Sequence, residues 1–139
     1  MDKKDEGVQL MRQKQMEMQM LNAQLQQLQQ QLNAVEQQTM EIEFVIDALG
    51  NLAKVEVDTE VLVPLSSGIF VKAKLVDNKE LVVNVGSNTT VTKTIPEVQE
   101  MLKQQVAEVG KVKKELTDKF TEFASKMQNL QMDLMKKGD

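Results

Sequence analysis

Nine residues step through the first third of the chain at strictly alternating intervals of four and three: Leu21, Leu25, Leu28, Leu32, Val35, Thr39, Ile42, Ile46 and Leu49. An apolar spacing averaging about 3.5 residues over about four heptads keeps one stripe of a helix against a partner helix. A helix with that pattern is stabilised by packing its apolar face rather than by its own propensity. The fold must therefore supply a second helix.

A matching stripe runs through the last third as Val98, Leu102, Val106, Val109, Val112, Leu116, Phe120, Phe123, Met127, Leu130 and Leu134. Consecutive four-residue steps at Val98 to Val106 and Val112 to Phe120 would locally relax a left-handed supercoil. Between the stripes the period falls to two. Val61, Val63 and Leu65 alternate, then Ile69, Val71, Ala73 and Leu75, with Lys72 and Lys74 on the other face, then Leu81, Val83 and Val85. Such alternation marks half-buried strands. Turn residues separate them at Ser66-Ser67-Gly68, Asp77-Asn78-Lys79 and Gly86-Ser87-Asn88, before a last strand at Thr89 to Lys93, so two β-hairpins are expected. Pro64 cannot donate a ladder hydrogen bond and places the first strand near an edge.

The chain thus divides into an N-terminal coiled-coil helix over 4–49, two β-hairpins over 54–95 and a C-terminal coiled-coil helix over 96–137, together one structural unit of α+β class. Gly50 is expected to close the first helix. Thr94 and Glu97 have the spacing of a capping box, and Pro96 fits the first turn of the second. With a compact insert between them the helices fold back antiparallel, with Leu49 near Val98 or Leu102. At 1.5 Å rise per residue each arm is on the order of 60 to 70 Å long. Four short strands with one apolar face are marginal alone and leave unpaired edges. Val61, Val63, Leu65, Ile69, Val71, Leu75, Leu81, Val83 and Val85 are therefore the expected oligomerisation surface.

Composition closes off several functions. With no cysteine and no histidine, disulfides, thiolate chemistry and the usual transition-metal ligands are absent, and no metal or cofactor is expected. The glycines at 50, 68, 86 and 110 never form a phosphate-binding loop. A net charge of −4, no Tyr or Trp and only four Phe give little phosphate neutralisation or base stacking, so nucleic acid is not an expected partner. The chain has no long apolar run and no hydrophobic segment within residues 1–10, which points to a cytoplasmic protein without a membrane partner. Asp58 with Glu60, and Asp77 with Glu80, are paired carboxylates at turns that imply no pocket, so no enzyme is expected. Asn88-Thr89-Thr90 matches a glycosylation sequon and reads as a turn. The acidic excess sits at Glu36, Glu41, Glu43 and Asp47, where charges on a long helix usually form a solvated flank.

Where the apolar rhythm gives way, methionines take over. Met11, Met16, Met18 and Met20 lie on the first helix, and Met127, Met132 and Met135 lie opposite on the second. Methionine is flexible and polarisable, and surfaces rich in it accept many apolar partners. Met11, Met18 and Met127 fall in the seam register; for Met18 and Met127 loose core packing is the favoured reading. Met16, Met20, Met132 and Met135 fall largely outside it, where exposure and client contact are favoured.

The order helix, two hairpins, helix, with the run from Val61 to Leu75 (VLVPLSSGIFVKAKL) and the segment Val83-Asn-Val-Gly-Ser87, closely resembles the alpha class of archaeal prefoldin. The resemblance spans nearly the whole chain. It implies a heterohexamer of two alpha and four beta-type subunits whose hairpins join into a double β-barrel carrying six coiled-coil tentacles. It also implies capture of unfolded client proteins between tentacle tips and delivery to a group II chaperonin without ATP. One departure is Gly86-Ser87-Asn88-Thr89, where family members often carry a Gly-rich turn. Two alternatives stay open: a structural coiled-coil scaffold, and a homo-oligomeric or filament-forming alpha-like paralogue.

Overall fold

The computed structural model describes residues 3–137, with side chains described from 5 to 136. Helix α1 (Lys3–Leu52) leads to strands β1 (Glu60–Ser66), β2 (Ile69–Lys74), β3 (Glu80–Gly86) and β4 (Thr89–Thr94), and helix α2 (Ile95–Lys137) follows. The class is α+β: a helical hairpin with two antiparallel β-hairpins inserted between its helices. Two compact units are present, one built from residues up to Gln38 and from Val109 onward, the other from Thr39–Glu108. Each unit draws on both helices.

In the first unit Leu28 is buried, and Met11, Lys14, Met18, Leu21, Leu25, Leu32 and Val35 are half-buried along α1. The alternation therefore begins earlier than the leucines suggest, with Lys14 occupying one layer. On α2 the half-buried positions are Val109, Leu116, Phe120, Phe123, Ala124, Met127, Leu130 and Leu134. Val112 does not join them, being 47% exposed. No position between Val109 and Leu116 is half-buried; Lys113 is exposed as well, its side chain 49% open and its ammonium 3.5 Å from the Glu36 carboxylate on α1. An amphipathic lysine can lay its methylenes along an apolar surface while its charge stays at the rim.

In the second unit Ile95 and Val98 are buried, and Thr39, Ile42, Ile46 and Leu49 of α1 are half-buried together with Gln99, Met101, Leu102 and Val106 of α2. Gln99 also keeps the rhythm, because 99, 102, 106 and 109 step by three, four and three. Its side-chain amide donates to the Ile46 carbonyl at 3.0 Å. With Gln99 counted beside the buried Val98, the rhythm at the start of α2 is regular, while Val109 to Leu116 is a full heptad with no half-buried layer inside it. Gly50 does not close α1, which continues to Leu52. A Cβ at Gly50 would stand 3.4 Å from the Gln99 side-chain nitrogen, an ordinary contact distance. The helix ends through bonds from Ala53 N to Leu49 O, Lys54 N to Asn51 O and Val55 N to Leu52 O, the tightening that satisfies terminal carbonyls.

The start of α2 is capped as the sequence indicates. Glu97 N donates to Thr94 Oγ1 at 3.3 Å, and that hydroxyl donates to Glu97 Oε1 at 3.0 Å. Ile95 N, another amide of the first turn, donates to Lys79 O, which fastens the helix to the start of the second hairpin.

The hairpins pair β1 with β2 and β3 with β4, and every pairing in the first recurs twenty residues later in the second. Val61↔Ala73 and Val63↔Val71 correspond to Leu81↔Lys93 and Val83↔Val91. Register shifts also match, falling between Pro64 and Ser66 and between Asn84 and Gly86. The loops differ in chemistry. Gly68 takes a φ of 80° in the first, whereas Ser87 and Asn88 have φ of 50° and 60° in the second. Two adjacent left-handed residues suit the twist of a two-residue hairpin, so the segment that departs from a Gly-rich turn still closes tightly.

Gly110 lies inside α2, and a Cβ there would meet no atom within 4 Å. Gly110→Ala is expected to stabilise the chain by about 0.5–1 kcal/mol through helix propensity, read as a higher urea midpoint of the helical circular dichroism signal. Thr94→Ala is expected to cost about 1 kcal/mol by removing the cap, measured the same way.

Candidate functional site

Two surfaces carry the residues singled out from the sequence. The first lies in the unit built from 3–38 and 109–137. Met11, Met18 and Met127 are half-buried, whereas Met16, Met20, Met132 and Met135 are 64%, 63%, 53% and 76% exposed. Seam and off-seam methionines thus separate by burial as their register requires.

They form two neighbouring pairs, Met16 with Met20 at i and i+4 on α1 and Met132 with Met135 at i and i+3 on α2. At 3.6 residues per turn Met16 falls on the face of α1 away from Lys14, Met18 and Leu21, and Met132 on the face of α2 away from Leu130 and Leu134. Met20 is placed differently. It lines an open groove of about 380 Å³ with Glu17, Leu21 and Gln24 of α1 and Lys126, Asn129, Leu130 and Asp133 of α2. An apolar floor with both signs of charge at its rim offers a flexible contact to a chain segment that exposes apolar side chains. Beside the groove, Lys14 Nζ lies 3.7 Å from Asp133 Oδ2, with the lysine side chain 18% exposed. A search for apolar residues alone passes over this layer. The intervals of three and four on either side of it, to Met11 and Met18, are the signal that locates it.

The second surface lies in the unit 39–108. Of the residues expected to drive oligomerisation, Val61, Leu75, Leu81 and Val83 are half-buried, while Val63, Leu65, Ile69, Val71 and Val85 are exposed. Val63 and Val71 oppose one another across the ladder, so their side chains share a face. The alternation in the sequence does not single out the other face. Leu62, Phe70 and Val82 are also exposed, and the pairings Leu62↔Lys72 and Pro64↔Phe70 place Leu62 and Phe70 with Lys72 and Lys74. The neighbouring lysines give this face the appearance of a solvated one. Among the described residues no helix is long and apolar enough to cross a membrane.

A family profile described as prefoldin subunit matches residues 21–138. The chain is 34% identical over 124 residues to prefoldin subunit alpha 1 of Methanocaldococcus jannaschii, covering 89% of this chain and 84% of that one. The chain belongs to the prefoldin family, in its alpha class. It is also 35% identical over 123 residues to prefoldin subunit alpha of Pyrococcus horikoshii, with 83% of each chain covered. The fold is similar to a cryo-EM structure of filamentous PFD from Methanocaldococcus jannaschii, with a TM-score of 0.76, 18% identity, and coverage of 86% of this chain and 98% of that one. Membership makes the protein a non-catalytic chaperone subunit. The prefoldin match begins at Leu21. Met11, Met16, Met18 and Met20 lie upstream of it, so their role is argued from their geometry alone.

Replacing the seam lysine by an apolar residue tests the polar layer. Lys14→Leu is expected to raise stability by about 1 kcal/mol, because a polar side chain at a seam position sets register at a cost in cohesion. Thermal melting of the helical signal would show a higher midpoint.

Proposed function

We propose that this prefoldin alpha-class subunit holds unfolded polypeptides through Met16, Met20, Met132 and Met135 together with the groove floor at Leu21 and Leu130, and that it does so without ATP. The observation that carries this reading is the exposure of four large flexible side chains at off-seam positions, where a coiled coil usually places charge. One such site is small and binds weakly. Several on one assembly raise effective concentration and add roughly 10²- to 10⁴-fold in avidity, while each contact alone stays easy to release. The partners in this reading are beta-type subunits, in a ratio of two alpha to four beta, and a group II chaperonin in the cytoplasm that receives the client; membership of the family supports it.

The assembly surface in this reading is the apolar face of the hairpins, centred on Val63, Val71, Ile69 and Val85. Two-stranded sheets with exposed apolar side chains are marginal in isolation, and joining them across subunits into a barrel removes both the apolar surface and the open edges. The same open faces favour, as a second reading, a homo-oligomeric scaffold or filament that does not hold clients.

The variant carrying Gln in place of Met16, Met20, Met132 and Met135 separates the two. It is expected to assemble with a beta-type subunit to the same mass by native mass spectrometry and to lose most of its suppression of client aggregation. Suppression equal to that of the unaltered assembly would leave the scaffold reading standing. Val63→Glu with Val71→Glu is expected to do the reverse, leaving the helical signal in place while the high-mass species disappears.

A further inference from the structure

We infer that the outer side of α1 in the unit 39–108 and the outer face of the first hairpin form a heterologous contact between two copies of this chain, separate from the Val63–Val71 face. On α1 the seam is Thr39, Ile42, Ile46 and Leu49, and the side away from it carries Met40 and Phe44, one turn apart, with the small exposed Ala48 a turn further on. Phe44 is 74% and Met40 69% exposed. Single exposed apolar residues are ordinary. An aromatic and a methionine stacked at i and i+4 on the side away from a coiled-coil seam form a contiguous anchor of the kind enriched at protein interfaces.

The charges around that anchor have one sign. Glu41, Glu43 and Asp47 flank it, and no Lys or Arg occurs between residues 15 and 53. From α2, Lys103 lines a groove with Glu43, Ile46, Asp47 and Val106. Counting it, the surface keeps an excess of two negative charges. A partner suited to it carries apolar side chains, an aromatic ring and a positive excess.

The outer face of the first hairpin meets that description. Ladder pairing brings Leu62, Pro64 and Phe70 together with Glu60, Lys72 and Lys74. Leu62 and Phe70 are exposed. Lys72 lies 4.0 Å from the Glu60 carboxylate, which leaves Lys74 as the positive excess of the face. Anionic helix and cationic sheet thus sit on the same chain, each with an exposed phenylalanine, and neither covers the other within one copy. Charge complementarity of this kind fixes partner and register more than affinity; burial of two aromatic anchors supplies the affinity. Because the contact is head-to-tail, each copy engaged on one side keeps the complementary surface free for the next, so it propagates or closes into a ring. The inference is independent of what the methionine surface holds.

The chain contains no cysteine, so single thiols report the contact directly. Ala48→Cys in one sample and Pro64→Cys in another retain both phenylalanine anchors. The two full-length variants are mixed in equal amounts, treated with a short bismaleimide, and the products resolved by mass. The mixed 48–64 adduct is expected well above its random share over the 48–48 and 64–64 adducts. Adding Glu43→Lys and Asp47→Lys to the first variant is expected to cut the mixed adduct several-fold, and adding Lys72→Glu and Lys74→Glu to the second should restore it. A mixed adduct at or below the random share overturns the inference, and so does one that ignores the charge reversals. Rescue by the paired reversal cannot come from misfolding of either variant.

Discussion

One stripe of side chains holds the two helices together in each unit, and the rest of the molecule depends on it. Among the described residues only Leu28, Ile95 and Val98 are buried hydrophobic side chains. The remaining layers are half-buried, so each contributes a fraction of the roughly 1.5–3 kcal/mol that full burial of a large apolar side chain gives. Stability is consequently spread along the helices layer by layer. No single layer is decisive, which is why Lys14, Thr39 and Gln99 are tolerated at seam positions. It also means that the helices leave most of their circumference for other contacts.

The hairpins solve a different problem. Their position is set by a few backbone and amide bonds: Ile95 N to Lys79 O, Asn78 Nδ2 to Val55 O at 2.8 Å, and Asp58 N to Leu75 O at 2.7 Å. Their faces remain open. The twenty-residue correspondence between the two hairpins gives them one geometry and different chemistry on the outer side. Leu62, Phe70 and Lys72 in the first correspond to Val82, Thr90 and Thr92 in the second. A bulky aromatic face with lysines and a threonine-rich face of the same shape cannot suit the same neighbour. The repeat therefore presents two outer faces of distinct chemistry on one template.

Much of this is legible in the residues. The alternation from Leu21 to Leu49, the switch to period two at Val61 and the Thr94–Glu97 cap each encode local structure through one dominant force, and each is present in the fold. The departures share a cause. Hydrophobicity places the exposed Val112 in the stripe, passes over Gln99 beside the buried Val98, and starts the rhythm at Leu21, whereas the seam is defined by geometry. Lysine and glutamine can occupy a seam layer when their polar ends reach a carboxylate or a carbonyl, as Lys14 reaches Asp133 and Gln99 reaches Ile46 O. Gly50 has the sequence context of a left-handed terminator, but the helix runs on through it to Leu52. The outer hairpin face is legible in principle, since Leu62 and Phe70 fall on the polar side of the period.

The polar layers also bear on register. A seam of similar leucine and valine layers is nearly indifferent to a slip of one heptad, because apolar layers meet apolar layers in either alignment. In the unit 3–38 with 109–137 the two cross-helix ion pairs break that indifference. A seven-residue slip of α2 that sets Lys126 in the place of Asp133 opposite Lys14 also sets Gln29 in the place of Glu36 opposite Lys113. Both pairs are lost and one becomes a like-charge contact. Partly exposed pairs are worth only about 0.2–1 kcal/mol each, too little to hold the helices together. They are large enough to choose between alignments whose apolar terms are equal, which is the use of polar seam residues in coiled coils generally. The aligned register in turn decides which side chains share the groove, so that Met20 and Leu130 line it together and Glu17, Lys126 and Asp133 supply its charged rim.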